Sequence, residues 1–445
     1  MGRAEPAWTA ELEAWLVPFL ERLIYPAQRH WAPLYIAGLL APGERKSLEP
    51  LASRMAPGHL QQLHHFLSTS RWDPAPLAEE LVRHAQALVG GSEAVLVVDD
   101  TALVKKGEHS VGVAHQYCGQ LGKQANCQSL VSLTLARAEV PVCVALRLFL
   151  PEAWAGNEAR RRRALVPEGL AFREKWRIAL DEIDRVRAAG ATFGTVLADA
   201  DYGRVAGFRH GLDERGLPWA LTVLSTCTVY PADVQLRAPR RRDGQLRPER
   251  PSQQVQTVIA ALPATDFHPV TWRQGTKGPL RADFAAVRVR VADGPAMSSR
   301  TQHLPGAERW LVCERRLNGE RRYYLSNLPS HTPLDRLAAV IKARWVCEQA
   351  HQQMKEELGL DHLECRNWMA LAHHALLTMI ALCFLQHLRL GGKNQRRPQP
   401  AGAAAHPDTA AGASSHSGTL HGRLRPMSGM PAQLPLPTQS IGWAE

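Results

Sequence analysis

Three carboxylates stand where the sequence makes a carboxylate costly. Asp100 follows the apolar run Val95-Leu96-Val97-Val98 and Asp199 follows Thr195-Val196-Leu197-Ala198. Both runs are short and nearly continuous in apolar residues, which suits strands buried on both faces. Acids at the carboxyl ends of strands in one open sheet converge on a common rim. There they repel and raise one another's pKa unless a cation sits between them, so the pattern suits a divalent metal. A third acid lies in the helical stretch Leu334 to Leu358, where Arg344, Glu348 and Lys355 fall at i, i+4 and i+11 and share one face. One carboxylate flanked by two cations is a way to join a metal site while the cations grip adjacent phosphates. Arg344 with Glu348 is equally the pattern of an ordinary surface ion pair. Asp99 and Asp201 compete for the same roles. Alternation along a strand sends Asp99 to the face opposite Asp100, so that only one of them points at the metals, while Asp201 stands as a replacement or support for Asp199.

The elements that must carry these groups read as α/β. From about Thr9 to Val89, apolar residues recur at three- and four-residue steps, as in Leu12-Trp15-Leu16-Phe19-Leu20 and Leu77-Leu81-Ala85-Leu88. Prolines and glycines at Pro26, Pro33, Pro42-Gly43, Pro57-Gly58 and Pro74 to Pro76 divide the stretch into about five helices. Strands are expected at Ser129 to Leu135 and Val140 to Leu150, turning near Ala138-Glu139, and a helix from Phe172 to Ala188. Between about 220 and 330 the texture becomes short alternating runs such as Phe284 to Val291, Trp310 to Cys313 and Arg322 to Ser326, which indicates a β-rich insertion. A single strong helix then runs from Leu334 to Leu358, and an almost wholly apolar one from Trp368 to Leu388.

Composition narrows the partner. The 445 residues are 45% hydrophobic and 21% charged, which excludes a wholly disordered or fibrous chain. Lys and Arg number 53 against 42 acids, a formal net charge of +11 that favours an acidic polymer as partner. Lys105-Lys106 and Arg160 to Arg163 are natural phosphate contacts, and Trp154, Trp345 and Trp368 are candidates for stacking on an unpaired base, although burial is the commoner fate of Trp. The eight cysteines never form C-x-x-C and read as reduced core thiols of a cytosolic protein. The longest apolar run, Ala375 to Leu385, falls short of the roughly 20 residues a bilayer requires, so no membrane span is expected.

Three ordered blocks now carry a resemblance. Asp99-Asp100-Thr101 through Lys105-Lys106-Gly107, then Ser110 to Gly119 and Asn126-Cys127-Gln128, look like the first-aspartate region of the DDE transposases of bacterial insertion sequences, in the cut-and-paste branch. Leu197 to Gly203 resembles the second-aspartate region, and Ile341, Arg344, Glu348 and Lys355 match three of four positions of the helical signature Y-x2-R-x3-E-x6-K. Ile341 stands where the family has a phosphate-contacting Tyr.

The resemblance implies a ribonuclease-H-like catalytic domain interrupted by a β-rich insertion. Residues 1–90 would form a helical DNA-binding domain, 91–220 and 333–390 the two parts of the core, 221–332 the insertion and 391–445 a disordered tail. It implies that Asp100, the acid directly before Thr, together with Asp199 and Glu348 binds two Mg2+ ions, with Mn2+ as a substitute, and that Arg344 and Lys355 hold phosphates. The implied activity is cleavage at terminal inverted repeats and strand transfer into target DNA by a homodimer on DNA, in the bacterial cytoplasm at the nucleoid. A nuclease without strand transfer, and a domesticated or inactive DNA-binding remnant, are the alternative readings.

Overall fold

The computed structural model describes residues 8–238, 246–275, 278–297 and 302–395. Five helices open it: α1 (Thr9–Leu20), α2 (Pro26–Leu40), α3 (Leu48–Met55), α4 (Leu60–Ser68) and α5 (Ala75–Val89). The residues spaced at three and four are the ones that go inside, Leu12, Leu16 and Phe19 from α1 and Leu77, Leu81 and Ala85 from α5. Gly91, at φ +122°, takes the chain out of α5 into the first strand through a conformation that side chains disfavour.

The following segment builds the sheet that holds the acids. Its members are β1 (Gly91–Val104), β2 (Ala114–Cys118), β3 (Lys123–Arg137) and β4 (Val140–Leu148), then α6 (Glu152–Ala155), α7 (Glu158–Arg163), α8 (Lys175–Ala188), β5 (Phe193–Ala198), α9 (Ala200–Gly203), α10 (Ala206–Glu214) and β6 (Trp219–Val223). The expected turn between β3 and β4 is there, with Ala138 and Glu139 both at positive φ. β3 lies antiparallel to β1 and β4, whereas β5 runs parallel to both β1 and β6.

The β-rich stretch comprises β7 (Thr228–Pro231), β8 (Leu236–Arg237), β9 (Arg247–Pro248), β10 (Gln253–Gln254), α11 (Val255–Ala260), β11 (His268–Gly275), β12 (Gly278–Val291), β13 (Glu308–Arg315) and β14 (Arg321–Ser326). β14 pairs antiparallel with β6, so these strands continue the same sheet. That sheet has 12 strands in the order β10-β7-β12-β13-β14-β6-β5-β1-β3-β2, with β11 on β12 and β4 on β3, while β8 and β9 pair separately.

Three helices close the described chain, α12 (Leu334–Lys342), α13 (Trp345–Gln352) and α14 (Trp368–Gln395). The single helix expected from Leu334 to Leu358 is broken. Ala343 N–H bonds to both Ala339 and Val340 carbonyls, and Cys347 N–H reaches back only to Arg344, so the turn at 343–344 is tightened and α13 starts anew. Beyond Gln352 the turns widen instead into one π-helical segment, Gln353–Glu357.

Strand alternation sorts the two faces of the sheet. Val95, Val97 and Leu197 pack with Leu337, Ala338, Val340, Ile341, Val346 and Cys347 of α12 and α13. Leu96, Val98, Val196 and Ala198 join the larger core formed with α1–α5, α8, α10 and α14, so the N-terminal helices share a core with the sheet. α14 is apolar enough over Trp368–Gly391 to cross a membrane by length and composition, more than the run-length reading allowed, but 78% of its apolar window is buried inside the protein. It is the central core helix. The tail expected to begin at Gly391 is helical to Gln395, and residues 396–445 lie outside the described ones.

Candidate active site

β5 ends at Ala198 beside the middle of β1, which runs on to Val104, so Asp99 and Asp100 lie within a strand and not at its carboxyl end as the sequence suggests. The parallel register of β1 and β5 runs Val97 to Leu197 and Val98 to Ala198, so the next residues along the chain are Asp99 and Asp199. Asp199 leaves the strand as the N-cap of α9, its Oδ1 accepting from the amides of Asp201 at 3.0 Å and Tyr202 at 3.4 Å. α13 crosses the face that carries Asp99 and brings Glu348 to the same place. Two contacts pin that helix: Arg273 of β11 stacks 3.9 Å over the Trp345 ring, and His351 Nε2 lies 2.8 Å from the Ser132 hydroxyl, which donates to the Asp99 carbonyl.

The result is a cleft of 620 Å³ lined by Asp99, Asp100, Asp199, Asp201, Glu348, Lys175 and Lys355 among others. Asp99 and Asp100, neighbours within β1, both border it. They are held differently. Asp100 accepts from Lys175 Nζ at 2.6 Å on Oδ2 and from the Tyr202 hydroxyl at 2.7 Å on Oδ1. Asp99 accepts from Arg344 Nη1 at 2.7 Å and from Cys347 Sγ at 3.1 Å. The other guanidinium nitrogen of Arg344 reaches Glu348 Oε1 at 2.8 Å, so one cation bridges acids from β1 and α13.

The electrostatics are those of a site short of positive charge. Burial, then the charges of Asp99 and Asp201, push the Asp199 carboxyl up to about 7. Burial also raises the Asp100 carboxyl despite Lys175 and Tyr202 pulling the other way. For Arg344 burial works against the charge, but the acids led by Asp99 outweigh it and hold the guanidinium pKa above its ordinary value. Lys355 is buried, which lowers its pKa, and its ammonium lies 3.3 Å from Gln120 Oε1.

The donors fit a divalent ion. All are carboxylate oxygens, the hard ligands Mg2+ takes, and their crowding leaves Asp199 inclined to keep its proton where no cation neutralises its neighbours. Among the described residues no three acid, His or Cys side chains are drawn into a closed ligand set. Lys175 and Arg344 occupy the carboxylate oxygens an entering ion would take.

Comparison with known proteins now bears on this cleft. Residues 18–279, more than half of the chain and including Asp99, Asp100 and Asp199, match the family model described as DDE superfamily endonuclease. The chain belongs to that family. A probable transposase for insertion sequence element IS701 from Microchaete diplosiphon is 31% identical over 189 residues, 42% of this chain and 47% of that protein. The chain thus spans about half the length of the curated relative it matches. A cryo-EM structure of the piggyBac transposase synaptic complex with hairpin DNA aligns over 88% of this chain and 73% of its own, at 11% identity and a TM-score of 0.41.

The remaining candidate residues sort by burial. Lys105 is turned inward, its Nζ donating to the Leu363 carbonyl at 2.8 Å, and burial lowers its pKa, whereas Lys106 is exposed. Ile341 is 5% exposed and packs under the sheet, so this position serves the core. Trp154 is buried, its Nε1 donating to the Val113 carbonyl. His373 and His374 are core rings bonded to backbone carbonyls. Lys175 and the Tyr202 hydroxyl are the site groups that pattern reading missed. Lys175 is the first residue of an ordinary amphipathic helix, and only the fold brings it to Asp100. Tyr202 offered one signal, its place three residues beyond an acid that ends a buried strand.

Proposed function

We propose that this DDE endonuclease is the transposase of a bacterial insertion sequence. It binds the terminal inverted repeats of its element, hydrolyses a strand to free a 3′-hydroxyl and joins that end to target DNA, as a homodimer on DNA in the bacterial cytoplasm at the nucleoid. One observation carries this reading: acids far apart in the chain, Asp199, Glu348 and the neighbouring Asp99 and Asp100 of β1, line one cleft together with Lys175 and Lys355, and Arg344 is bonded to Asp99 beside it. Family membership and the transposase relative agree with it. The strand order β4-β3-β1-β5-β6, with β3 antiparallel and β5 parallel to β1, supports the ribonuclease-H-like assignment. The attachment of β14 to β6 supports an insertion that braces the core.

Mg2+ would be held by Asp199, Glu348 and an acid of the Asp99–Asp100 pair, where the resemblance names Asp100. Two such ions supply activation of the attacking oxygen and neutralisation of the leaving one. The chain's own cations then have a defined part. Arg344 and Lys355 flank the acids and hold the phosphates beside the scissile bond, and Lys355, already poor in water contacts, gives up little hydration on meeting one. Cleavage and joining are both in-line displacements at phosphorus, so one such cleft serves both.

The test is incubation of purified protein with element-end DNA, target DNA and Mg2+. Cleaved and joined products are expected, with Asp199→Asn and Glu348→Gln each lowering the rate by more than about 100-fold. Cleavage without joined product would point to a nuclease. Full activity in either variant would remove that acid from the site.

A further inference from the structure

Two adjacent acids stand within β1, and the register of the sheet distinguishes them. Partners in a parallel pair present their side chains on the same face. Val97 and Leu197 are such partners and both lie against α12 and α13, while Val98 and Ala198 are partners and both face the larger core. The next step along both strands returns to the α13 face, and there stand Asp99 and Asp199. Glu348 arrives on that face from α13, joined to Asp99 through the two nitrogens of Arg344 at 2.7 and 2.8 Å. Asp100 projects the other way, where Lys175 from α8 and the Tyr202 hydroxyl take one oxygen each.

We propose that Asp99, rather than Asp100, is the β1 carboxylate that shares a divalent ion with Asp199 and Glu348, and that Asp100 is a positioning residue holding Lys175 and Tyr202 at the wall of the cleft. Asp99 and Glu348 would hold the ion with oxygens that Arg344 now bridges, and Arg344 would then be free for a phosphate. Tyr202 ties the two acids of different role together, since its amide caps Asp199 while its hydroxyl serves Asp100.

This inference rests on the metal-cleft reading above, and the experiment separates the two. Mn2+ binding to the full chain is measured by electron paramagnetic resonance for the unmutated protein and for D99N, D100N, D199N and E348Q, with circular dichroism melts to verify folding. D99N, D199N and E348Q are expected to weaken Mn2+ at least tenfold and D100N less than threefold. If D199N and E348Q retain affinity, the metal cleft itself is wrong. If they lose it while D99N does not, or if D100N loses as much as D99N, only the assignment of Asp99 fails. Should D99N melt early, D99C and D100C are titrated with Cd2+. A thiolate-to-cadmium absorption band above that of the unmutated protein is expected for D99C alone, and its appearance in D100C instead overturns the proposal.

Discussion

Lys175 places its ammonium 2.6 Å from Asp100 Oδ2, bridging the first turn of α8 to the middle of β1, and both side chains are about a third exposed. Removing one partner of a fully buried pair costs about 3–5 kcal/mol, and exposed pairs contribute about 0–1 kcal/mol. Lys175→Met is therefore expected to lower unfolding free energy by about 2 kcal/mol, measured by urea denaturation at neutral pH. An unchanged midpoint would mean that the lysine is not held at Asp100 in solution.

Acid is expected to loosen the protein through two buried histidines. His351 and His374 are both lowered from 6.5 to about 4, mainly by burial. A depressed histidine is neutral in the fold, so its contribution is complete above pH 6.5 and is lost as pH falls toward about 4, because the unfolded chain binds the proton more readily. At pH 5 each ring removes about 2 kcal/mol relative to neutral pH. His374 joins α14 to Tyr35 of α2 at 2.8 Å and is remote from the acids, so His374→Gln isolates one of the two contributions. The variant should be less stable at pH 7.5 but lose less on going to pH 5. Denaturant melts at the two pH values read that difference, and identical losses would contradict a neutral buried ring.

The turn after Asp199 leaves no room for a side chain at Gly203. A Cβ there would lie 1.9 Å from the Thr222 carbonyl oxygen of β6, a backbone atom that cannot swing aside. Gly203→Ala is expected to cost at least about 1–3 kcal/mol and to weaken Mn2+ binding, because α9 carries the amides that orient Asp199. Gly216→Ala is the control. Its Cβ meets nothing within 4 Å, its φ of +63° costs about 1–2 kcal/mol, and Mn2+ affinity should hold. Equal metal affinity in both variants would detach α9 from the site.

The sequence was most legible where burial leaves a pattern. The runs Val95 to Val98 and Thr195 to Ala198 are strands because both faces of the sheet are covered, and the acids after them line one cleft, although β1 continues through Asp99 and Asp100 to Val104 where the apolar run alone would have ended it. The i,i+4 pair of Arg344 and Glu348 is likewise present. What pattern reading could not weigh is pairing between distant segments. Which of Asp99 and Asp100 faces α13 depends on the register of β1 against β5, and neither strand's composition encodes it. The break at Ala343-Arg344 has the same origin, for helix propensity runs straight through it. The guanidinium is held at Asp99, 245 residues away, while Arg273 covers the next ring, Trp345.

Lys105 and Lys106 look alike in sequence and are expected to behave differently on DNA. Each lysine that neutralises a phosphate adds about 0.9 to the slope of log affinity against log salt on duplex DNA. Lys106 is exposed and available for such a contact. Lys105 is turned toward the Leu363 carbonyl in the short segment leading from α13 to α14, where its charge is satisfied internally. Lys106→Gln should thus weaken binding to end DNA and reduce the salt slope by about 1, with no change in thermal melting. Lys105→Gln should leave the slope unchanged and lower the melting temperature instead, since it leaves a buried carbonyl without its donor. Fluorescence anisotropy across a salt series, paired with melts of both variants, distinguishes the two. A slope change in Lys105→Gln with no loss of stability would mean that this ammonium leaves its carbonyl for the DNA backbone.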